Sequence, residues 1–327
     1  MAFLSEKAFL EFIDRFFPLR SDGVVVPRGD DCGVIECPGR MCITSDLFLE
    51  GVHFRRATFP PEDLGYKALA VNVSDIAAMG ATPRGFNLNL MIPKDLDETF
   101  WGSFFKGMAE LAAEHGLILL GGDLSRSDVL GVDITIWGAA PDRLMLREQC
   151  RPGDELFVLG PLGLARVGLT LLERGGQRER FARGVKAHLH PRLFVREGQV
   201  LARQPWVRGL MDVSDGLAMD VGSFLGPGLG LELSLDESEL DHEVREFAAL
   251  QDQNPLQFAL QGGEDYALLG GMAPGSADLL RQVCPEAAIL GSVDQAPGIS
   301  IQGRPFLAPG YDHFSAAEDS SSSRGAR

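Results

Sequence analysis

The sequence predicts an α/β or α+β protein made of two domains. Strand-like and helix-like segments alternate along the first 150 residues, and a similar succession resumes after a polar break at 150–154. Hydrophobic residues make up 45% of the 327 residues, which is enough to form two buried cores. Strands that alternate with helices are typical of a mixed sheet covered by helices.

The first half begins with an amphipathic helix within residues 1–20, where phenylalanines recur at helical spacing before Pro18. A second helix follows a pair of prolines and ends before a glycine, the usual order at helix ends. The helices are predicted at Leu64–Met79 and Asp97–His115. The strand candidates are Met41–Thr44, Gly85–Met91, Leu117–Leu120 and Val132–Trp137.

The second half begins at a break in composition, Cys150–Asp154. We therefore predict an N-terminal domain over 1–149 and a C-terminal domain over 150–315. Residues 316–327 contain four consecutive serines and no large apolar side chain, so they are predicted to be a disordered tail. The predicted elements of this half are a strand at Glu155–Leu159, helices at Gly163–Glu173 and His190–Arg203, a core segment at Met211 and a strand at Ala267–Leu269.

Composition excludes several functional classes. The net charge of -16 and the pI of about 4.8 disfavour binding to nucleic acids or anionic membranes, because both require a basic surface. No apolar run reaches membrane-spanning length and the N-terminus lacks a secretion signal, so we expect a cytoplasmic protein. Five cysteines, none in a Cys-x-x-Cys pair, predict reduced thiols rather than disulfides or a zinc knuckle.

The aspartates are the most informative residues. Most of them end an apolar strand or interrupt an apolar helix, where an unpaired carboxylate is costly. A single aspartate before a glycine is most often a turn or cap residue. Six such positions without matching buried lysines or arginines instead indicate divalent metals, and hard oxygen ligands suit Mg²⁺. These positions are Asp30-Asp31, Asp46, Asp75, Asp123, Asp212 and Asp215.

Two glycine pairs precede acidic residues. Gly121-Gly122 and Gly262-Gly263 would let backbone N–H groups approach a phosphate before a carboxylate takes up a metal. The sequence contains no Gly-x-x-x-x-Gly-Lys-Ser/Thr loop, and no Gly-x-Gly-x-x-Gly follows a strand. Any ATP would therefore be held by something other than a P-loop.

Seven segments follow one another along the chain: Gly29–Asp31, Thr44–Asp46 with Glu50–Phe54, Lys67–Gly80, Gly121–Asp123, Asp212–Leu217, Gly262–Tyr266 and Gly310–Phe314. Taken together, they resemble the thiamine-monophosphate kinase family, within the aminoimidazole ribonucleotide synthetase superfamily. The resemblance runs from about residue 5 to residue 314. The Glu-Gly-Val-His-Phe and Gly-Gly-Glu-Asp-Tyr motifs together separate this kinase from its relatives in the superfamily.

The resemblance implies a two-domain aminoimidazole ribonucleotide synthetase-like fold, in which an N-terminal mixed sheet with helices forms a dimer interface and a C-terminal α/β domain follows. It implies phosphorylation of thiamine monophosphate (TMP) to thiamine diphosphate by ATP, with several Mg²⁺ ions and a homodimer. TMP is a phosphate monoester that is already ionised at pH 7, so we expect direct in-line transfer without a general base or a phosphoenzyme.

The same resemblance implies roles for individual residues. The catalytic group would comprise Asp46, Asp212 and Asp215. The metal ligands would be Asp30, Thr44, Ser45, Asp46, Asp75, Asp123, Asp212 and Asp215. ATP would contact Gly122, Asp123, Arg147, Ser214 and Phe105, and TMP would contact His53, Glu264 and Tyr311. The sequence departs from the family at two places: Phe105 stands where a tyrosine often lies near the nucleotide, and Cys32-Gly33 replaces a pair of alanines.

Other functions stay open from the sequence. One alternative is another ATP-dependent enzyme of the superfamily, such as selenophosphate synthetase, aminoimidazole ribonucleotide synthetase or the hydrogenase-maturation dehydratase. The first requires a reactive N-terminal cysteine or selenocysteine and the last a terminal cysteine, whereas this chain has no cysteine before Cys32 and ends in Gly-Ala-Arg. The other alternative is a non-catalytic nucleotide or metal sensor, which would be expected to have lost some of the aspartates.

Overall fold

A computed structural model describes residues 5–19, 22–29 and 32–306. The predicted metal ligand Asp30, the predicted TMP ligand Tyr311 and the predicted tail at 316–327 lie outside these ranges. Within them, the structure confirms the predicted mixed α/β class, with a five-stranded and a two-stranded sheet in the first half of the chain and a seven-stranded sheet in the second.

The first half folds around a mixed sheet in the order β3-β7-β4-β5, with β6 beside β4. β3 pairs antiparallel with β7, and β7 pairs antiparallel with β4, whereas β4 pairs parallel with β5 and β6. The elements are α1 Glu6–Ile13, β1 Val24–Val26, β2 Val34–Ile35, β3 Met41–Leu49, α2 Pro61–Ala78, β4 Thr82–Ile92, α3 Glu98–Glu114, β5 Ile118–Gly121, β6 Leu124–Arg126 and β7 Gly131–Ala139.

Helix α2 occupies the centre of the first half. It begins at Pro61, whose fixed φ suits the first turn, and nearly all of its residues are buried. Two glycines let α2 and α3 come into backbone contact: a Cβ on Gly65 would lie 1.9 Å from the carbonyl oxygen of Phe104, and one on Gly107 would lie 2.0 Å from that of Glu62. Since α2 is covered on most sides, a polar side chain on it faces either a partner or a site.

The second half forms a seven-stranded sheet in the order β14-β13-β10-β12-β8-β11-β9. A short 3₁₀ helix at Glu237–Glu239 precedes α8. The elements are β8 Glu155–Leu159, α4 Leu164–Arg174, α5 Ala182–Leu189, α6 Val195–Ala202, β9 Val207–Val213, α7 Leu217–Leu225, β10 Gly230–Leu233, α8 His242–Leu250, α9 Pro255–Leu260, β11 Ala267–Met272, α10 Ala277–Val283, β12 Ala288–Asp294, β13 Gly298–Ile301 and β14 Arg304–Phe306.

Two predicted elements differ from the structure. The predicted helix at His190–Arg203 is wrong in its first turns: α5 ends at Leu189 and α6 starts only at Val195, because Pro191 cannot continue a helix. The strand predicted at Met41–Thr44 extends to Leu49, so Ser45 and Asp46 lie inside the strand rather than after it.

No helix in the described part of the chain is both long enough and apolar enough to cross a membrane. None of the cysteines in the described ranges is joined in a disulfide.

A candidate phosphoryl-transfer site between the two domains

The two halves of the chain meet at an acidic cavity of about 380 Å³. Its walls include Thr44 and Asp75 from the first half, Asp212 from the second half, and Arg147 from the segment that joins them. A hydrogen bond crosses the junction, since Oγ of Ser74 on α2 donates to Oδ2 of Asp212 on β9 at 2.9 Å. The structure therefore brings together predicted residues that are up to 168 positions apart in sequence.

Strand β3 separates the three consecutive residues Thr44, Ser45 and Asp46. Side chains alternate across a strand, so Thr44 and Asp46 share one face and Ser45 lies on the other. Thr44 Oγ1 donates to Asp75 Oδ2 at 2.7 Å, whereas Ser45 Oγ donates to Asp133 Oδ1 at 3.2 Å on the opposite face. Within one protomer, Ser45 is thus not gathered with the other predicted metal ligands.

Burial is the main cause of the raised pKa values of the carboxylates in and beside the cavity. It raises the pKa of Asp46 to about 6, and the negative charges of Asp75 and Asp133 add to the rise. Burial and the nearby Asp75 raise the pKa of Asp212 to about 7. Burial also raises the pKa of Asp75 itself, opposed by its hydrogen bond from Thr44 and by the charge of Arg147. A cation bound beside these side chains would favour their ionised forms.

The glycine turn after β5 is held tightly against β4. Gly122 has φ +148, and a Cβ there would lie 1.8 Å from the carbonyl oxygen of Leu88, so no other residue fits this backbone. The following Asp123 is exposed, and its carbonyl accepts from Leu90 N at 2.9 Å. Gly122 and Asp123 do not line the cavity wall.

A second turn follows β9 and carries Ser214 and Asp215. The buried carboxylate of Asp220, in the first turn of α7, accepts from the backbone N–H of Asp215 at 3.2 Å. Burial and the charge of Asp215 raise the pKa of Asp220 to about 7, opposed by backbone hydrogen bonds from this turn. Asp220 thus fixes the turn that carries two predicted ligands, and sequence analysis missed it.

Glu264 pairs with a buried cation, which corrects one step of the sequence argument. Lys67 on α2 is 0% exposed, and its Nζ lies 2.9 Å from Glu264 Oε1. The prediction that no buried lysine accompanies the acidic residues was therefore wrong. Lys67 nonetheless pairs with Glu264, and no ion pair in the described ranges joins it to Asp46, Asp75 or Asp212.

His53 lies at the end of an aromatic layer that leads to Glu264. Its Nδ1 accepts from Leu49 N at 3.0 Å, which leaves the proton of the neutral ring on Nε2. The His53 ring stacks on Phe48 at 5.8 Å between ring centres, and Phe48 contacts Phe59 at 6.4 Å. Lys67 Nζ lies 5.5 Å from the centre of the Phe59 ring.

Tyr266 was not predicted as a site residue. Burial raises its pKa, and the negative charges of four carboxylates add to the rise, which puts its phenol among the acidic groups of both domains. These carboxylates are Glu264, Asp212, Asp46 and Asp75. A signal was present, because Tyr266 closes the same motif as Glu264.

Phe105 packs in the interior of the first half. It is 0% exposed and contacts the rings of Phe9, Trp101 and Phe104 at 5.4–5.8 Å. In this structure Phe105 is a packing residue, and its ring lies in the aromatic core rather than in the wall of the acidic cavity.

The oxygen donors of the site fit Mg²⁺ in chemistry, although they are not assembled into a ready site. Carboxylates and a threonine hydroxyl are the hard ligands that Mg²⁺ takes, and the pKa values of Asp46 and Asp212 are raised first by burial and then by neighbouring carboxylates. Among the described residues, no three His, Cys, Asp or Glu side chains are grouped closely enough to bind a metal ion.

The fold and the acidic junction define a class, the AIR synthase related proteins. Residues 29–140 match the N-terminal domain of this family and residues 151–304 match its C-terminal domain. The two matched regions correspond to the two sheets that meet at the cavity.

Individual relatives narrow the class. The thiamine-monophosphate kinase of Aquifex aeolicus is 31% identical over 290 residues, which cover 88% of this chain and 92% of the relative. The crystal structure of thiamine-monophosphate kinase from Stenotrophomonas maltophilia superposes with a TM-score of 0.79 at 27% identity, covering 93% and 98% of the two chains. AaThiL complexed with AMPPCP and TMP gives a TM-score of 0.74 at 29% identity, covering 95% and 97%. The chain belongs to the thiamine-monophosphate kinase family.

Proposed function

We propose that this protein transfers the γ-phosphoryl group of ATP to TMP and forms thiamine diphosphate at the junction of its two domains. One observation carries the proposal: predicted ligands from both domains converge on one acidic cavity, joined by the bond from Ser74 to Asp212. A related protein, AaThiL, is described in complex with AMPPCP and TMP, an ATP analogue and the proposed acceptor.

The residues divide into a nucleotide group and an acceptor group. Gly122, Asp123, Arg147 and Ser214 are proposed to contact ATP. Arg147 is exposed at the cavity and its charge acts on Asp75 and Asp212, so its guanidinium is available for a bidentate phosphate contact.

The acceptor group is His53, Glu264 and Tyr311. Nε2 of His53 carries the ring proton, which suits donation to a phosphate. The carboxylate of Glu264 can accept from an N–H donor of the acceptor. The aromatic layer of Phe48, Phe54 and Phe59 links the His53 and Glu264 positions.

Mg²⁺ is proposed at the remaining acidic side chains. We propose Asp30, Thr44, Ser45, Asp46, Asp75, Asp123, Asp212 and Asp215 as its ligands, with Asp46, Asp212 and Asp215 nearest to the transferred group. When bound, the cations would reduce the repulsion between two phosphate groups and stabilise the transferring phosphoryl group. The chain itself contributes fixed oxygen donors and a junction that holds both substrates.

The test is an ADP-release assay that compares TMP, thiamine and other phosphate esters as acceptors. The proposal predicts turnover with TMP and formation of thiamine diphosphate. ADP release that needs no TMP, or that occurs with an unrelated ester at the same rate, would reject it. The assay also separates this function from those of other superfamily members.

We also propose a cytoplasmic location.

We further propose a homodimer, with the exposed face of β3 at its interface. This face carries Met41, Ile43 and Leu47, and Ile43 is 63% exposed. A row of exposed apolar side chains on a sheet is typical of a contact surface. Ser45 lies in the same row, so a dimer would place it near the partner subunit.

A further inference from the structure

The fully buried Lys67 forms an ion pair with Glu264, a residue proposed to bind the acceptor. Lys67 Nζ contacts Oε1 of Glu264 at 2.9 Å, and Nδ1 of His188 lies 3.3 Å from Oε2. Lys67 and His188 are 0% and 2% exposed, whereas Glu264 is 26% exposed. Both carboxylate oxygens are therefore engaged by buried groups, while about a quarter of the Glu264 side chain stays accessible to solvent.

This arrangement joins three separate parts of the chain. Lys67 comes from α2 of the first domain, His188 from α5 of the second domain, and Glu264 from the turn before β11. Lys67 and His188 also approach each other, with 3.4 Å between Nζ and Nδ1. The direction of the Glu264 side chain is thus set by groups from both domains.

The backbone around Glu264 is unusual as well. Glu264 and Tyr266 have φ values of 64 and 48, a left-handed conformation that is costly for side chains of this size. The N–H of Glu264 donates to Ser214 O at 2.7 Å and that of Tyr266 to Val213 O at 2.9 Å. The turn is therefore fixed against the end of β9 and against the proposed ATP contact Ser214, which follows that strand.

Burial of this lysine needs a reason beyond packing. A buried ion pair contributes little or no net stability compared with apolar residues of similar volume, because removing both charges from water is costly. Burial alone would raise the pKa of Glu264, but the charge of Lys67 and the hydrogen bond with His188 lower it to about 2. The pair keeps the exposed edge of Glu264 as a hydrogen-bond acceptor in one orientation.

We propose that Lys67 is a positioning residue for TMP: together with His188, it orients the Glu264 carboxylate so that its exposed edge accepts from an N–H donor of the acceptor molecule. The proposal depends on the proposed function, which supplies TMP as the acceptor. The aminopyrimidine ring of thiamine carries such a donor. Lys67 acts only through Glu264, since it has no exposed surface of its own.

The test is a double-mutant cycle on the full-length protein with Lys67→Met, Glu264→Gln and the double variant. Loss of a charge-assisted hydrogen bond predicts that Lys67→Met raises KM for TMP by about 10- to 100-fold, with KM for ATP within about twofold. Because Lys67 acts through Glu264, the double variant should be no worse than Glu264→Gln alone. Lys106→Met, which removes an exposed pair with Glu62, is the matched control and should leave both KM values unchanged.

The His188 position gives a second, milder test in case Lys67→Met does not fold. His188→Gln keeps a side-chain donor for Glu264 and His188→Leu removes it, so Gln should retain the wild-type KM for TMP within about threefold and Leu should not. The positioning role would be overturned if His188→Gln and His188→Leu had equal effects on KM for TMP. It would also be overturned if the effects of Lys67→Met and Glu264→Gln were additive, or if Lys67→Met raised KM for TMP and KM for ATP equally.

The same experiments distinguish this inference from the proposed function. If the wild-type protein turns over TMP and Lys67→Met keeps its KM, only this inference fails. If the wild-type protein forms no thiamine diphosphate, the proposed function fails as well.

Discussion

Replacing Asp46 by asparagine should make the metal-free protein more stable and the enzyme much slower. Asp46 lies on β3, half-buried, on the same face as the hydrogen-bonded pair Thr44 and Asp75. Its ionised form is opposed by burial and by the charges of Asp75 and Asp133. Asparagine has almost the same shape but no charge, so it removes this repulsion together with a proposed metal ligand.

The size of the stability gain follows from the pKa of Asp46. In the folded protein it is about 6, against the usual 3.8. Each pKa unit corresponds to about 1.4 kcal/mol, so the ionised carboxylate destabilises the fold by at most about 3 kcal/mol at neutral pH. Because the folded pKa is raised, this cost is absent below pH 3.8, grows as the pH rises towards 6 and is complete above it.

The assay is urea unfolding in EDTA at pH 7.5 and at pH 4.5, combined with kcat in excess Mg²⁺ and ATP. We expect Asp46→Asn to gain about 1–3 kcal/mol at pH 7.5 and less at pH 4.5. The same variant should lose at least about 100-fold in kcat, the usual loss when one charge stabiliser of a transition state is removed. Asp142→Asn, at an exposed position, is the control and should change neither quantity. A variant that is less stable than wild type at pH 7.5, or within threefold of its kcat, would refute the reasoning.

Three further predictions concern the nucleotide turn, the metal and the dimer. Gly122→Ala should raise KM for ATP at least about tenfold, because the added Cβ would meet the carbonyl of Leu88. Gly116→Ala is the control: Gly116 also has a positive φ but lies in open space, so this variant should lose only about 1–2 kcal/mol of stability and keep its KM for ATP. Equal KM values for ATP in the two variants would argue against a nucleotide role for the turn. EDTA should abolish turnover and Mg²⁺ should restore it, and full activity in metal-free buffer would contradict the Mg²⁺ assignment. Ile43→Asp should convert a dimer into monomers in sedimentation experiments, and a wild-type monomer would reject the proposed interface.

The class of fold could be predicted from the sequence because its main elements have strong local signals. Helix α2 follows Pro60 and precedes Gly80, and β7 alternates the apolar residues Val132, Ile134 and Ile136 with polar ones, as a strand does. Local sequence signals are less reliable for the ends of helices and strands. The helix predicted at His190–Arg203 starts only at Val195, because Pro191 keeps the preceding residues out of a helix. Strand β3 continues beyond Thr44 because cross-strand pairing with β7 outweighs the polar Ser45-Asp46 sequence.

The candidate site could be predicted only in part, because a motif indicates which residue types are present but not where their side chains point. Thr44 and Asp46 were found by their motif, yet only strand alternation puts Ser45 on the other face. Lys67 was missed as a site residue because a lysine in an apolar helix does not reveal a partner 197 positions later in the chain. Such pairings depend on how the two domains dock.

Direct phosphoryl transfer from ATP to TMP can be followed in a single-turnover reaction with γ-labelled ATP, quenched at short times. The label is measured in the protein, in ATP, in inorganic phosphate and in thiamine diphosphate. We expect the label to appear in thiamine diphosphate as ATP is consumed, with none bound to the protein at any time. Label that first accumulates on the protein, or inorganic phosphate released without labelled thiamine diphosphate, would contradict direct transfer.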